Sequence, residues 1–364
     1  MNVIKNTPPS NKELIAPLSA TRLAEESLEA AQAFSRAGVA ANTVRSYQSA
    51  LRYWAAWLEL RYGMALSEGA LTENIALQFV LDHLARPTEN GAWEHLLPVS
   101  VDQELVAAGV KGQGGPLRFS TVSHRLAVLA KWHRLNNWES PLTGHAIKSL
   151  LKEAQKAQVR NGMQTQKKTA VVLEPLQAML ATCTDGARGV RDKALLLLAW
   201  SGGGRRRSEV VALQIEDLQK LDANTWLYSL GNTKTNTSGV RREKPITGPA
   251  AQALTKWLEL IGATSGPLFR RLHRGGSIGT TALSPDHVAR IVKRRAELAG
   301  LSGDWGAHSL RSGFVTEAAR QGVPLGEVMA MTEHRSINTV MGYFQAGSLL
   351  NSRAAKLMPD PEAE

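Results

Sequence analysis

Apolar residues recur at intervals of three and four along most of the N-terminal part of the chain, which is the spacing of one face of an α-helix. The clearest run follows Asn42-Thr43, a pair suited to cap a helix. Its apolar positions are Val44, Tyr47, Leu51, Trp54, Leu58 and Tyr62. Similar spacing predicts helices over Thr21–Arg36, Glu73–Ala85, Val101–Ala108 and Gly144–Gln158, and one opening at Ser120-Thr121. The pattern therefore predicts a bundle of four or five helices over roughly the first 155 residues.

The pattern changes after a polar stretch, residues 159–169, which has no apolar periodicity and is predicted to be a linker. Beyond it, helices are predicted over Leu173–Ala181, Asp192–Trp200, Ser208–Leu213 and from Ser284-Pro285 to Leu298. Trp226–Leu230 and Val240–Ile246 are predicted strands of a hairpin, and the remainder is helical with glycine breaks. The predicted fold is mainly α with a small β-sheet. Its parts are a flexible tail (1–20), a helical domain (21–158), the linker (159–169) and an α+β domain (170–364).

Composition narrows the class of protein. The 364 residues are enough for two domains with separate cores. Cys183 is the single cysteine, which excludes an internal disulfide and a cysteine-based metal cluster. No apolar run reaches the length of a membrane span, and the first residues lack the apolar segment of a secretory signal. A cytoplasmic protein without a membrane partner is predicted.

The net charge of +11 is concentrated in the middle of the chain. Residues 101–300 contain 30 lysines and arginines against 15 acidic residues, whereas both flanking segments are slightly acidic. Such a block suits a surface that follows the phosphates of a nucleic acid, because neutralising phosphates releases condensed counterions. A solvated basic face without a ligand is the alternative that charge alone leaves open.

Candidate catalytic residues follow one another in the second half. They are Arg206 in the run Arg205-Arg206-Arg207-Ser208-Glu209, Lys234, His308 and Arg311 three residues apart, His334, and Tyr343. Residues three apart share one side of a helical turn. The fork of arginine grips two phosphate oxygens, and a tyrosine oxygen can act as a covalent nucleophile. The set predicts cleavage of a DNA strand by a metal-free enzyme.

In this order, the residues resemble the tyrosine recombinase, or phage integrase, family. The match is most specific over Asp192–Tyr343, and the helical N-terminal half suits the core-binding domain of the family. The register Arg-x-Ser-Glu selects Arg206 among the three arginines, and Thr233-Lys234-Thr235 before Ser238-Gly239-Val240 resembles the hairpin of the Cre branch.

The resemblance implies a role for each residue. Tyr343 would attack the scissile phosphorus and form a 3′-phosphotyrosyl bond, and Arg206 and Arg311 would clamp the non-bridging oxygens. His308 and His334 would donate hydrogen bonds to the same phosphate, with His308 also helping to deprotonate the tyrosine. Lys234 would protonate the leaving 5′-oxygen, and Glu209 would orient the site. No metal or nucleotide cofactor is implied.

Double-stranded DNA with a specific site is the implied partner. The candidate DNA contacts are Arg45, Arg52, Arg125, Lys131, Arg205, Arg207, Arg241, Arg242, Arg290 and Arg294, with His124 beside them. The resemblance further implies a homotetramer on DNA, joined by exchange of a C-terminal helix in Ser348–Leu357. It also implies that the protein is associated with the nucleoid. An accessory DNA-bending protein is a further candidate partner.

Two other functions stay open. A type IB topoisomerase would use the same chemistry on one duplex, and an idle DNA-binding protein would keep the residues without the reaction. The C-terminal helix favours a recombinase over the former, and the complete residue set argues against the latter. A metallonuclease is disfavoured because no paired carboxylates or His-rich cluster stand at usable spacing.

Two positions depart from the family pattern. The family usually places Leu-Gly before the second histidine, where this chain has Thr332-Glu333. An apolar residue normally precedes the catalytic arginine, where this chain has Arg205 after Gly202-Gly203-Gly204. Because a glycine before the histidine serves a tight turn, Glu333 is expected to alter the loop or bring a carboxylate near the site.

Overall fold

The computed structural model describes residues 41–88, 90–160, 168–230, 242–334 and 336–348. The chain divides into two compact units, residues 1–165 and 166–364, and the division falls within the predicted linker. The predicted tail (1–20), the predicted helix over Thr21–Arg36, the hairpin tip around Lys234 and most of the predicted C-terminal helix lie outside the described residues.

The described part of the first unit contains five α-helices and a short 3₁₀ helix, Leu66–Glu68. The α-helices are α1 (Ala41–Tyr62), α2 (Glu73–His83), α3 (Val99–Ala107), α4 (Phe119–Leu135) and α5 (His145–Arg160). Thr72 caps α2, where its side chain accepts a hydrogen bond from the amide of Ile75. A two-residue antiparallel ladder, β1 (Arg86–Pro87) with β2 (Trp93–Glu94), was not predicted.

Aromatic side chains form the centre of this helical core. On α1, Trp54 and Leu58 are fully buried as the periodicity predicts, but Val44 and Tyr62 at the ends of the helix are exposed. Tyr53 and Trp57, which the predicted stripe left out, are fully buried as well. The buried face is therefore wider than the predicted one, since large rings at neighbouring positions fill the bundle better than one narrow stripe.

The second unit combines helices with short antiparallel strands. Its helices are α6 (Leu173–Ala181), α7 (Ala187–Ser201), α8 (Arg207–Ala212), α9 (Gly248–Ile261), α10 (Pro285–Leu298), α11 (Ala307–Arg320), α12 (Leu325–Thr332) and α13 (Ile337–Ser348). Its strands are β3 (Leu218–Lys220), β4 (Thr225–Leu230) and β5 (Arg242–Thr247) in one sheet, and β6 (Arg270–Leu272) with β7 (Ile278–Ala282) in another. The predicted fold class is confirmed, although β3, α9 and the β6–β7 pair were not predicted. Among the helices described, none is both long and apolar enough to cross a bilayer.

Helix α7 is the central element of this unit because it is buried on nearly all sides. It packs against α9 and α11. Asp192 on α7 accepts hydrogen bonds from Arg191 and from Arg295 of α10, and all three side chains are buried. Arg295 therefore fastens α10 to the core and is not part of the exposed basic group that its neighbours Arg290 and Arg294 form.

Candidate active site

Helix α11 begins at Ala307 and carries His308 and Arg311 in its first two turns. Arg311 is only 3% exposed, and its guanidinium is held by backbone carbonyls. Nη1 donates to the Gly204 carbonyl at 2.8 Å, and Nη2 donates to the Thr332 carbonyl at 2.7 Å. Burial lowers the pKa of Arg311, and the positive charge of the neighbouring Arg206 lowers it further. A buried cation held in this way is ready to meet an anion.

His334 completes the surroundings of Arg311. Its Nε2 lies 3.0 Å from Nη2 and 3.2 Å from Nε of Arg311. Its Nδ1 lies 2.6 Å from Oγ1 of Thr332, and that hydroxyl donates its own proton to the Val328 carbonyl. Nδ1 must therefore donate and Nε2 must accept, which assigns the neutral tautomer. Burial and the charge of Arg311 lower the pKa of His334 to about 3, in agreement with that assignment.

The glycine cluster before Arg205, residues 202–204, lets the chain pass close to Arg311. Gly203 and Gly204 have φ values of +94° and +62°, which L-residues with a side chain rarely adopt. A β-carbon on Gly204 would lie 2.8 Å from the Cα of Arg311, and one on Gly203 would collide with the Met331 carbonyl. The triple glycine is therefore a packing requirement of the site.

Arg206 and Glu209 form an ion pair at the start of α8. Glu209 Oε2 accepts from the backbone amide of Arg206 at 3.1 Å, and Oε1 accepts from its Nη1. Glu209 is buried, whereas the side chain of Arg206 keeps a quarter of its surface exposed. The positive charge of Arg206 lowers the pKa values of both Arg311 and His308, so it acts on the two site residues of α11.

Tyr343 on α13 is brought to His308 on α11. The Tyr343 hydroxyl lies 3.0 Å from His308 Nε2, and the two rings meet edge to face. Helix α13 can come this close because Gly347 packs directly against the Thr316 carbonyl, where a β-carbon would collide. Thr316 also donates through Oγ1 to the Tyr343 carbonyl at 3.3 Å. Partial desolvation, Arg311 and Arg206 lower the pKa of His308, which favours a neutral ring able to accept a proton.

The structure thus brings His308 together with Tyr343 and Arg311 together with His334. Arg206, the fifth described residue to which the resemblance gives a direct catalytic role, lowers the pKa values of both histidines through its charge. Glu209 lies beside Arg206. Lys234 lies outside the described residues. Sequence reasoning missed Thr332, which binds both Arg311 and His334. Its only signal in the sequence was its position in Thr332-Glu333, the pair that departs from the expected family pattern.

The candidate DNA contacts are less uniform. Arg45, Arg52, Arg207, Arg290 and Arg294 are exposed, and Arg207 pairs with Asp286 at 2.7 Å. Lys131 and Arg125 are half-buried, and His124 is exposed and hydrogen-bonded to Ser46. The guanidinium of Arg125 stacks on the Tyr53 ring at 3.2 Å from its centroid. Arg241 lies outside the described residues, and only the backbone of Arg242 is described, in β5.

Arg205 is buried, contrary to its place among the candidate DNA contacts. It is 1% exposed, and its Nη2 donates to the carbonyls of Gly203 and Met331. The positive φ angles of Gly203 and Gly204 turn the chain so that Arg205 points beneath the site. Arg206, the next residue, remains partly accessible.

Comparison with known proteins assigns the family. Residues 172–348 match the phage integrase family. The chain is 30% identical over 278 residues to an integrase/recombinase XerD homolog of Selenomonas ruminantium, covering 72% of this chain and 78% of that protein. It is 23% identical over 330 residues to the recombinase Cre of Escherichia phage P1, covering 86% and 85%. The chain therefore belongs to the phage integrase family, as its motifs indicate, and is an enzyme of the tyrosine recombinase type.

Solved structures support the same fold. A post-cleavage complex of the XerH site-specific recombinase with its palindromic difH substrate matches with a TM-score of 0.55 at 18% identity, over 86% of this chain and 79% of that one. The Tn1549 transposon integrase in complex with transposon right end DNA matches with a TM-score of 0.55 at 16% identity, over 91% and 97%. At these identities the likeness concerns the fold.

Proposed function

We propose that this protein cleaves and rejoins double-stranded DNA at a specific site through a covalent bond between Tyr343 and a 3′-phosphate. The observation that carries the proposal is the 3.0 Å contact between the Tyr343 hydroxyl and His308 Nε2, on the helix that also carries the buried Arg311. A nucleophile beside a neutral base and near fixed cations is the arrangement that phosphoryl transfer to tyrosine requires.

In the proposed step, the Tyr343 oxygen forms a bond to the scissile phosphorus while its proton passes to His308 Nε2. The bond between phosphorus and the 5′-oxygen breaks, and that oxygen takes a proton to become a hydroxyl. Lys234, outside the described residues, is the proposed proton donor. The phosphotyrosyl bond keeps the energy of the broken one, so that a 5′-hydroxyl from a second DNA end can reverse the step without a cofactor.

Arg206 and Arg311 are proposed to bind the non-bridging oxygens, where negative charge grows in the transition state. Glu209 orients Arg206 through two hydrogen bonds. His334 accepts a hydrogen bond from Arg311 in this structure. To donate to the phosphate it must therefore change its tautomer or gain a proton, and the negative phosphate favours both.

The proposed partner is duplex DNA. The exposed arginines described above support it, as do the XerH and Tn1549 structures, which were solved with DNA. Assembly of four protomers through residues 348–357, help from a DNA-bending protein and work at the nucleoid are proposed from the family resemblance; nearly all of that segment lies outside the described residues.

The test is covalent trapping. Purified protein is incubated with genomic or plasmid fragments and denatured in detergent, and covalent protein–DNA complexes are separated by electrophoresis. We expect a complex with the wild type and none with Tyr343→Phe, because the phenyl ring lacks the attacking oxygen. Tyr62→Phe, at an exposed tyrosine of α1, is the matched control and should trap normally.

The outcomes separate the alternatives. A complex that survives Tyr343→Phe would show that the nucleophile is another residue. Sequencing of the trapped DNA identifies the site, and two such sites on one plasmid then report strand exchange. Relaxation of the plasmid without exchange would favour the nicking-closing topoisomerase. Binding without any complex would favour the idle DNA-binding protein.

The lowered pKa of His308 predicts the acid side of the pH profile. A proton acceptor works in its neutral form, so the rate falls as the pH drops through the pKa of His308, which lies below the usual value of 6.5. We expect more than half of the neutral-pH rate to remain at pH 6.5. The measurement is the second-order rate constant of covalent complex formation, which reports the groups of the free enzyme. His308→Gln should lower this constant by about 100-fold and remove the acid limb; an unchanged limb would exclude His308 as the base.

A further inference from the structure

The C-terminal turn of α12 is held by three cations from different elements. Each donates to one of three consecutive carbonyls that the helix leaves without intrahelical partners. The carbonyls belong to Ala330, Met331 and Thr332, and their donors are Lys244, Arg205 and Arg311 in that order. The carbonyl end of a helix carries partial negative charge, which favours cations there.

Both departures from the family pattern meet at this turn. Glu333 caps the C-terminal end of α12, and its φ of +57° lies in the left-handed region where a helix cap is usually glycine. Arg205 donates to the Met331 carbonyl, two residues before Glu333. Both are buried, at 7% and 1% exposure. The turn therefore carries one unusual buried anion and one unusual buried cation.

The charges of these two side chains are incompletely satisfied by other groups. Among the described residues, Nε and Nη1 of Arg205 and Oε1 of Glu333 have no hydrogen-bond partner. Arg205 Nη1 lies 3.8 Å from Glu209, and Glu333 Oε1 lies 3.9 Å from Lys244 Nζ. A buried charge costs several kcal/mol when its compensating charge is removed. Arg205 is thus nearest to Glu209, and Glu333 is nearest to Lys244. Removal of Arg205 or Glu333 alone changes the net charge of these four groups by one, whereas removal of both leaves it unchanged.

The same turn sets the positions of two site residues. Thr332 provides the carbonyl that binds Arg311 and the hydroxyl that binds His334, and His334 follows Glu333 directly. Arg205 lowers and Glu333 raises the pKa of Arg311, after the larger effects of burial and Arg206. Movement of this turn would displace both Arg311 and His334, the groups proposed to bind the phosphate.

We propose that Arg205 and Glu333 act as a coupled pair of positioning residues, which together hold the end of α12 and thereby place Arg311 and His334. This proposal rests on the proposed function, because that function gives Arg311 and His334 a phosphate to bind. It predicts that either substitution toward the family pattern is harmful alone and that the two together are tolerated.

The test is a double-mutant cycle with Arg205→Leu, Glu333→Gly and the double variant. Formation of the covalent complex on the trapped DNA fragment, with the DNA in saturating excess, gives a rate constant and an amplitude, and a DNA titration gives the Kd. We expect each single variant to lower the rate constant about 30-fold and the double variant to stay within about fivefold of the wild type. The Kd for DNA should change by less than about threefold throughout. A loss of folded protein would lower the amplitude and leave the rate constant unchanged, which separates positioning from a structural role.

Two controls match the chemistry of the substitutions. Arg320→Leu removes an exposed, ion-paired arginine of α11. Asn137→Gly removes a side chain from the other non-glycine residue with positive φ in the described ranges, at +56°. Glu333→Gln keeps the shape of the side chain without its charge, and we expect it to slow the reaction as Glu333→Gly does.

The results decide as follows. Arg205→Leu that folds only together with Glu333→Gly supports the pair. Single variants at the wild-type rate, or a double variant as slow as the product of the singles, overturn it. If the wild type forms no covalent complex, the proposed function fails. The cycle is then read from the midpoint of thermal unfolding, where a double variant no more stable than the weaker single overturns the pair.

Discussion

Replacement of Arg311 with lysine is expected to lower the rate constant of covalent complex formation by about 1,000-fold. The guanidinium binds two backbone carbonyls and His334 at once, with donors in fixed directions. An ammonium is a single charged point on a flexible stem and cannot keep all three partners while it also meets a phosphate. Because one phosphate contact is a small part of a protein–DNA interface, the Kd for DNA should change by less than about threefold.

The measurement is a single-turnover reaction on the trapped DNA fragment. Arg320→Lys, an exposed arginine on the same helix, is the matched control and should react at the wild-type rate. A rate for Arg311→Lys within tenfold of the wild type would mean that Arg311 serves mainly to hold the fold around α12.

Replacement of Gly204 with alanine should damage both stability and catalysis. The new β-carbon would lie 2.8 Å from the Cα of Arg311, and the residue would have to keep a φ of +62°. The left-handed backbone costs about 1–2 kcal/mol, and the overpacking costs about 1–3 kcal/mol. A shift of Arg311 of the order of 1 Å is expected to slow cleavage about 100-fold.

Gly262→Ala separates the two causes. Gly262 ends α9 with a φ of +60°, and a β-carbon there would meet no atom within 4 Å. It should therefore lose only the backbone part of the free energy of unfolding and none of the activity. Urea unfolding and the single-turnover assay measure both quantities. An equal effect of the two substitutions on activity would refute the role of close packing at Gly204.

Several elements of the fold could be predicted because their signal is local. Helix α1 follows from its apolar period, and the β4–β5 pair follows from the predicted hairpin of Trp226–Leu230 and Val240–Ile246 around a polar loop. The β6–β7 pair was missed because β6 is a three-residue strand of Arg270, Arg271 and Leu272, which shows no alternation. Helix α9 carries a proline at its start and Gly262 at its end, which are signals separate from the apolar period.

The residue types of the site could be predicted from the order of its motifs, but their partners could not. The Gly204 and Thr332 carbonyls that hold Arg311 are backbone groups, which every residue has, so the sequence contains no mark of them. The burial of Arg205 depends on the path of the glycine turn, and the acceptor role of His334 depends on the Thr332 hydroxyl. Both are results of the tertiary fold, which the spacing of residues along the chain does not describe.

The hydrogen bonds of Arg311 also have a consequence for the entropy of binding. A free arginine side chain has roughly 2 kcal/mol of rotamer entropy to lose. In this protein the carbonyls of Gly204, in the glycine turn, and of Thr332, at the end of α12, immobilise Arg311 before any ligand arrives. Folding of the protein thus carries the cost of ordering the guanidinium, and the encounter with a phosphate does not. The enzyme exchanges some conformational stability for a group whose orientation is already correct at every turnover.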